Sequence, residues 1–548
     1  MPGVSVNIWM QQGKANGVSM DNPFITTWNT ANAGVSTNVQ IRVPTIVAGT
    51  YNCLVDWGDG NSNLITTYND ANWTHTYAVG GIKTVTIYGI FDGISFNNGG
   101  DRLKILTVQM WGIGQLGNAG GSFYGCANLT IPATDAPNLT LSPNLTNCFN
   151  GCSVLTGSPG LSSWNVSSIT NMTSLFQACP LFNGNVTTWQ TTSCTSMFGT
   201  FNGCTAFNQP LNFWIVSQVT TFRQMFNACP NFNQNLNSWV TGAATDMFGM
   251  FVGCTTFNGN VSTFITSNVV NMGQMFNGCS AFNRSLATWD VSKCASFNSM
   301  FNNCVIYNQS MNSWDMTACT RTDNMFTGCV AFNGNISSWN LPNNTIMSFM
   351  FSGCTSFNQN LSTWNTIKVI GMDSVFLNCS SFNPAALSWN TIACNSMNNM
   401  FRGCTLFNGN ISGFNTSLVT GMVAMFQLCT AFNQNISSWN TMNVTSMNQM
   451  FNAAVNFNQN IGSWNTIKVT AMNNTFNGAV NFNQNIGSWN ITALLSAATM
   501  FTGVTLTNAN YNGLLAGWGA QVAKPNVTFS GGNSHYDATT GGYNGTAG

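Results

Sequence analysis

Between residues 172 and 501 the apolar and polar positions recur every 25 residues without an insertion. Phe stands at 176, 201 and every twenty-fifth position to Phe501, and six residues later Phe182 begins a second column that runs to Phe482 with Tyr307 as its only variant. Asn follows each of these, from Asn183 to Asn483. Trp fills a third column from Trp189 to Trp489, where Phe264 and Phe414 are the substitutes, and two Met columns run through Met247 and Met272 and through Met250 and Met275. A unit this short cannot bury its own apolar face. Neighbouring units must therefore stack around one continuous core, which predicts a β-solenoid whose turns each carry at least one short strand, parallel to the next and about 4.8 Å away.

Looser spacing upstream, at Phe123 with Cys126 and Phe149 with Cys152, reads as divergent first rungs, making about sixteen. The solenoid is expected over 101–505. Beyond it Leu514, Leu515 and Trp518 fall at helical spacing, so 506–548 is expected to be a C-terminal cap with a glycine-rich tail. At the front, "VQIRVP", "YNCLVDWGDG", "THTYAVGG" and "KTVTIYG" read as strands separated by turns, predicting a small β-sandwich over 23–100. Residues 1–22 form an N-terminal arm whose apolar residues Val4, Val6, Ile8, Trp9 and Met10 cannot make a core alone, which suits ordering by a partner in a homo-oligomer or larger assembly. The fold class is thus all-β.

Composition narrows the function. The chain has 13 basic and 13 acidic residues and no Glu, too few charges for long exposed helices or for a phosphate-binding stripe, so nucleic acid is excluded as a partner. An exterior of Asn, Ser, Thr and Gly offers little charge repulsion and favours association. The start lacks a basic and apolar leader, and the chain has no run of 18 apolar residues, so neither a signal peptide nor membrane insertion is expected.

Several columns carry side chains capable of chemistry. Cys179 to Cys429 form an eleven-member column that ends in Ala454 and Ala479, which reads as a small buried slot rather than a disulfide or metal ladder. A second set, Cys194, Cys294, Cys319 and Cys394, shares its column with Val219 and Val269 and reads the same way. The Trp column reads as a core stack before a sugar platform, and the Asn column as an inward ladder satisfying backbone amides. Asp56 and Asp59 are a weak calcium signal that a turn explains. Asp290, Asp315 and Asp323 are the nearest approach to a carboxylate cluster, and the two histidines, His75 and His535, lie far apart. No catalytic, cofactor-binding or metal-ligating residue is assigned, and no cofactor is expected.

Two resemblances bear on this reading. Trp57, Gly58, Asp59, Gly60, His75 and Tyr77, in "VDWGDG" and "THTYAVGGIKTVTIYG", resemble the PKD domain, an immunoglobulin-like sandwich. The repeats, as in "MFQLCTAFNQNISSWNTMNVTSM" from Met425 to Met447, resemble BspA-type leucine-rich repeats in their Mycoplasma-lipoprotein-like form, with Asn at most of the family's Asp positions. These resemblances imply a surface or adhesion protein without enzymatic activity. The expected function is a non-catalytic structural or adhesion protein at a virion or cell surface, a virion fibre, decoration or host-contact component ahead of a secreted bacterial adhesin. Its expected ligand is a host-surface protein or glycan. A glycan-degrading solenoid enzyme is the competing class.

Overall fold

In the front segment, alternating apolar and polar residues build seven strands in the computed structural model, which describes residues 11, 14, 17–140 and 142–537. They are β1 (Phe24–Asn29), β2 (Gln40–Arg42), β3 (Tyr51–Asp56), β4 (Ser62–Ile65), β5 (Thr74–Thr76), β6 (Ile82–Phe91) and β7 (Ile105–Met110). A five-stranded sheet in the order β4-β3-β6-β1-β7 and a two-stranded sheet β2-β5 enclose Trp28, Ile41, Cys53, Val55, Trp57, Val85 and Ile87, all buried. The sheet runs past the expected boundary at 100, because β7 pairs antiparallel with β1. Its Thr107 also bridges Thr130 in parallel. The edge strand of the front sheet is thereby also the surface on which the repeats begin to stack, and its edge is not left open.

A buried ion clamps this segment. Lys104 Nζ donates to the carbonyls of Ser36, Thr37 and Gln40, at 3.1, 2.7 and 3.0 Å. Burial pushes the ammonium below the usual lysine range, against the opposing pull of Asp101. Asp101 in turn accepts the backbone N–H groups of Ser36 and Arg42 at 3.0 and 2.8 Å. Both side chains are wholly buried. Nothing in the sequence marks them, since their partners are backbone groups of a loop some sixty residues upstream.

The chain divides into two compact units, 1–269 and 270–548. In the first, parallel bridges link Asn144, Asn171, Ser196, Thr221 and Asp246 in succession; in the second they run from Asn271 through Ser296, Arg321 and Ile346 to Ser496. Apart from an added bridge between Ala386 and Asn410, each repeat contributes a single bridging residue rather than the expected short strand. The reason lies in the backbone: two residues per repeat, four apart, take left-handed conformations, such as Asn324 (φ 57°) and Gly328 (φ 73°). That geometry closes successive tight turns, in which Met325 N–H bonds Thr322 O and Cys329 N–H bonds Phe326 O. Alternate amides are then free to reach the next repeat, Asn324 to Ser348 O, Phe326 to Met350 O and Gly328 to Ser352 O, at 3.0, 2.8 and 2.8 Å. The ladder survives without extended strands.

At the C-terminal end the expected helix is present as α1 (Asn508–Gly519), with Leu514 and Trp518 buried. The arm residues Val4, Val6, Ile8, Trp9 and Met10 and the tail beyond 537 lie outside the described residues.

One repeat of the second unit breaks the apolar pattern. Asn344 stands where the neighbouring repeats place Cys319 and Val369, and Thr322 stands in the Met column of Met347 and Met372. The pair is buried, with Asn344 Nδ2 donating to Thr322 Oγ1 at 2.9 Å, while Asn344 Oδ1 has no partner. An unsatisfied buried acceptor costs about 1–3 kcal/mol. The double replacement Asn344→Val, Thr322→Met should raise the urea midpoint with an unchanged m-value, by about 1–2 kcal/mol of stability. A midpoint that stays put or falls would show that the polar pair is not a defect.

Candidate functional site

The cysteine column is where reactive chemistry was most to be expected, and the fold consumes it. All 19 cysteines are buried thiols. In the second unit each column member after the first donates to the Phe carbonyl of the repeat before it, Cys304 to Phe276 O at 3.0 Å, Cys329 to Phe301 O at 2.8 Å and Cys354 to Phe326 O at 3.0 Å. In the first unit Cys204, Cys229 and Cys254 do the same at 3.0 Å. The slot is therefore not only small, as its Ala replacements suggest, but also offers an acceptor. Cys294 and Cys394 donate to carbonyls within their own turn, of Ser296 and Ser396, at 3.4 and 3.3 Å. Burial pushes both thiols up to about 12.

A thiol that keeps its proton is a poor nucleophile. Native protein at pH 8 should react with almost no Ellman reagent, whereas the chain unfolded in guanidinium without reductant should titrate all 19. Rapid native labelling of the column would refute the buried-donor account.

The Trp column is buried likewise. Trp314, Trp339, Trp364 and Trp389 stack at 6.1, 5.8 and 6.1 Å between ring centroids. Each indole N–H donates to a carbonyl of the preceding repeat, those of Leu286, Met311, Ile336 and Leu361. No ring face is left for a sugar. The cap helix extends this column, since Trp518 Nε1 donates to Ile486 O at 3.2 Å.

The Asn column forms the expected ladder, but on the surface rather than inside. Asn308 Oδ1 accepts Asn333 N–H at 2.8 Å, and Asn333 Oδ1 accepts Asn358 N–H at 3.0 Å. Gln359 Nε2 adds a second bond to Asn333 Oδ1 at 2.9 Å. At the end of the array, Thr507 N–H and Asn510 Nδ2 take up Asn483 Oδ1, both at 2.9 Å, so the cap imitates the next repeat.

The carboxylates serve turns. Asp290 and Asp315 each accept the backbone N–H two residues on, from Ser292 at 3.0 Å and Thr317 at 2.9 Å. The Ser292 bonds hold the Asp290 carboxyl below its usual range. Asp323 pairs with Arg321, Nη2 to Oδ2 at 3.0 Å.

In the front segment the structure does bring sequence-selected residues together. Asp59 Oδ2 meets His75 Nε2 at 2.8 Å, His75 stacks on Trp57 at 4.9 Å, and Tyr77 Oη donates to Trp57 O at 3.0 Å. Burial alone would raise the Asp59 carboxyl, but the bonds from His75 and Asn61 hold it below the usual range. Gly58 (φ +74°) is required here, since a Cβ would lie 2.5 Å from Thr84 O. Asp56 accepts Gly58 N–H at 2.9 Å within the turn, while Asp59 fastens the turn to β5 through His75, so both carboxylates weighed for calcium are engaged.

Two hollows lie elsewhere, in the first unit. One of about 460 Å³ is lined by Arg42, Tyr68 and Asp70 over Trp73 and Phe96. Another of about 560 Å³ shares Thr45, Val47 and Ser95 with it. Sequence gives no sign of this grouping, because Arg42 ends β2 while Tyr68 and Asp70 sit in the short connection after β4.

Taken together, the geometry defines an all-β repeat protein with very little helix, whose repeated side chains bond the backbone of adjacent repeats. Overlapping matches at residues 143–264, 238–339, 307–414 and 395–514 place the chain in a family described as "Mycoplasma protein of unknown function, DUF285", and it belongs to that family. No curated protein and no solved structure shows a significant match. Among the described residues no helix is long and apolar enough to cross a membrane.

Proposed function

We propose that the chain is a non-catalytic structural or adhesion protein displayed on a surface, built from a PKD-like sandwich and a BspA-like solenoid of leucine-rich-repeat character. The observation that carries this reading is the fate of the repeated chemistry. The Cys, Trp and Asn columns, and Asp290 and Asp315, are spent on backbone groups of their own or an adjacent repeat, and Asp323 on Arg321, which leaves an exterior with few charges. Such a surface suits contact and display rather than turnover. The Trp57, Asp59, His75 and Tyr77 cluster supports the PKD-like assignment, because the signature residues converge on one turn. A virion component remains the leading carrier. The bacterial family name supports the second, a secreted adhesin.

Antibodies against residues 270–548 test the proposal. They should label intact virions or unpermeabilised cells of the source. Labelling that requires permeabilisation would overturn surface display.

A further inference from the structure

The repeats spend their side chains on themselves, so a recognition site must be sought where side chains are both fixed and unspent. The two adjoining hollows of the first unit meet that condition. The wall of the first is locked by Thr45 Oγ1 donating to Tyr68 O at 2.6 Å. Asp70 is held by Asn72 N–H at 2.9 Å, and the backbone of Arg42 by Asp101 at 2.8 Å. The Arg42 guanidinium itself meets no partner among the described residues, and Tyr68 is 40% exposed. The floor is apolar, with Trp73 and Phe96 buried beneath.

A rigid cleft with an open aromatic edge, a free guanidinium, a carboxylate and an amide at its rim has the donors and acceptors that vicinal hydroxyls need, over an apolar floor that receives C–H faces. Its volume of about 460 Å³ lies within the usual range of ligand sites. Asp70 in the first hollow and Asp92 in the second oppose a polyanion, while the exposed Val35 and Val47 add apolar edges for the C–H faces of a sugar. We propose that this cleft binds a neutral saccharide, two sugar rings in the first hollow with the chain continuing into the second. The inference rests on the surface-adhesion reading for its biological role but not for its chemistry.

The test is calorimetry on the full chain with lactose, N-acetyllactosamine, maltose, cellobiose and chitobiose. At least one should bind with a low-millimolar or tighter Kd, and Tyr68→Ala and Arg42→Met should each weaken it tenfold or more with an unchanged thermal midpoint. Should Tyr68→Ala fail to fold, Arg42→Met decides, because it alters only an exposed side chain. No binding by any of the five up to about 20 mM, or binding undiminished in the variants, overturns the cleft. Sugar binding lost in the variants while antibody labelling of intact particles or cells persists is the expected pattern. Intact sugar binding without such labelling would sink the surface reading and leave the cleft standing.

Discussion

Raising the pH above 9 should unfold the second unit within about one pH unit, far more steeply than a core of Val and Leu would allow. Nine of its cysteines, Cys294, Cys304, Cys319, Cys329, Cys354, Cys379, Cys394, Cys404 and Cys429, have thiol pKa values pushed up from 9.0 by burial. Those of Cys294 and Cys394 reach about 12. The folded chain therefore keeps protons that the unfolded chain releases above pH 9. Because the unfolded state then binds fewer protons, stability falls as pH rises, from the unfolded value near 9 up to the folded value near 12. It is undiminished below that window.

Each such thiol contributes a slope of one proton, and nine acting in one cooperative block amount to on the order of 10 kcal/mol per pH unit. A typical domain has about 5–15 kcal/mol in total, so the transition should be complete near pH 10. Circular dichroism against pH, with reductant present, is the measurement. The triple replacement Cys329→Ala, Cys354→Ala, Cys379→Ala follows what Ala454 and Ala479 already do in the same column. It should cost stability at pH 7 through three lost thiol donors, about 1 kcal/mol each, and yet make the alkaline transition shallower. An equally steep transition in the triple variant would exclude thiol ionisation as its cause.

That column also shows how far the sequence could be read. Strict spacing made the Phe, Trp, Cys and Asn columns visible, and the relaxation of spacing near Leu514 marked the cap helix. Replacement of Cys by Ala reports size alone, so the acceptor at Phe301 O was hidden: a carbonyl contributed by the previous repeat leaves no trace in residue type. The expected strand failed for a related reason. Left-handed residues at Ala424 and Leu428 occupy positions filled elsewhere by Gly and Asn, and mixed occupancy concealed a conformational requirement that a uniform glycine column would have announced. Asn333 was read as inward because a conserved spacing resembles a core position, yet its bonds run along the exposed rim. The cleft joins Arg42, at the end of β2, to Tyr68 and Asp70 in a short connection outside the repeats, where no column exists to be noticed.

Trp339→Ala should be the most damaging single truncation tested in the second unit. The ring is almost wholly buried, stacks on Trp314 and Trp364 at interplanar angles of 5° and 16°, and donates to Met311 O at 2.8 Å. Truncation removes the largest side chain of the repeat and leaves a cavity between two rings that their own backbones hold apart. Such losses cost about 3–5 kcal/mol, and the orphaned carbonyl adds roughly 1 kcal/mol. Trp339→Phe keeps most of the stack and loses only the N–H and part of the ring. Phe414 stands in this position against Trp439, centroids 6.4 Å apart, so the expected cost is about 1–2 kcal/mol. Since each repeat contacts its neighbours, the damage should be local at first. Hydrogen exchange in Trp339→Ala should quicken in the repeats around Met311, Trp314 and Trp364 before it reaches Trp464. Equal costs for the Ala and Phe variants would mean that ring volume does not hold the stack. Uniform acceleration across 270–537 would mean that the damage reaches every repeat at once rather than passing from neighbour to neighbour.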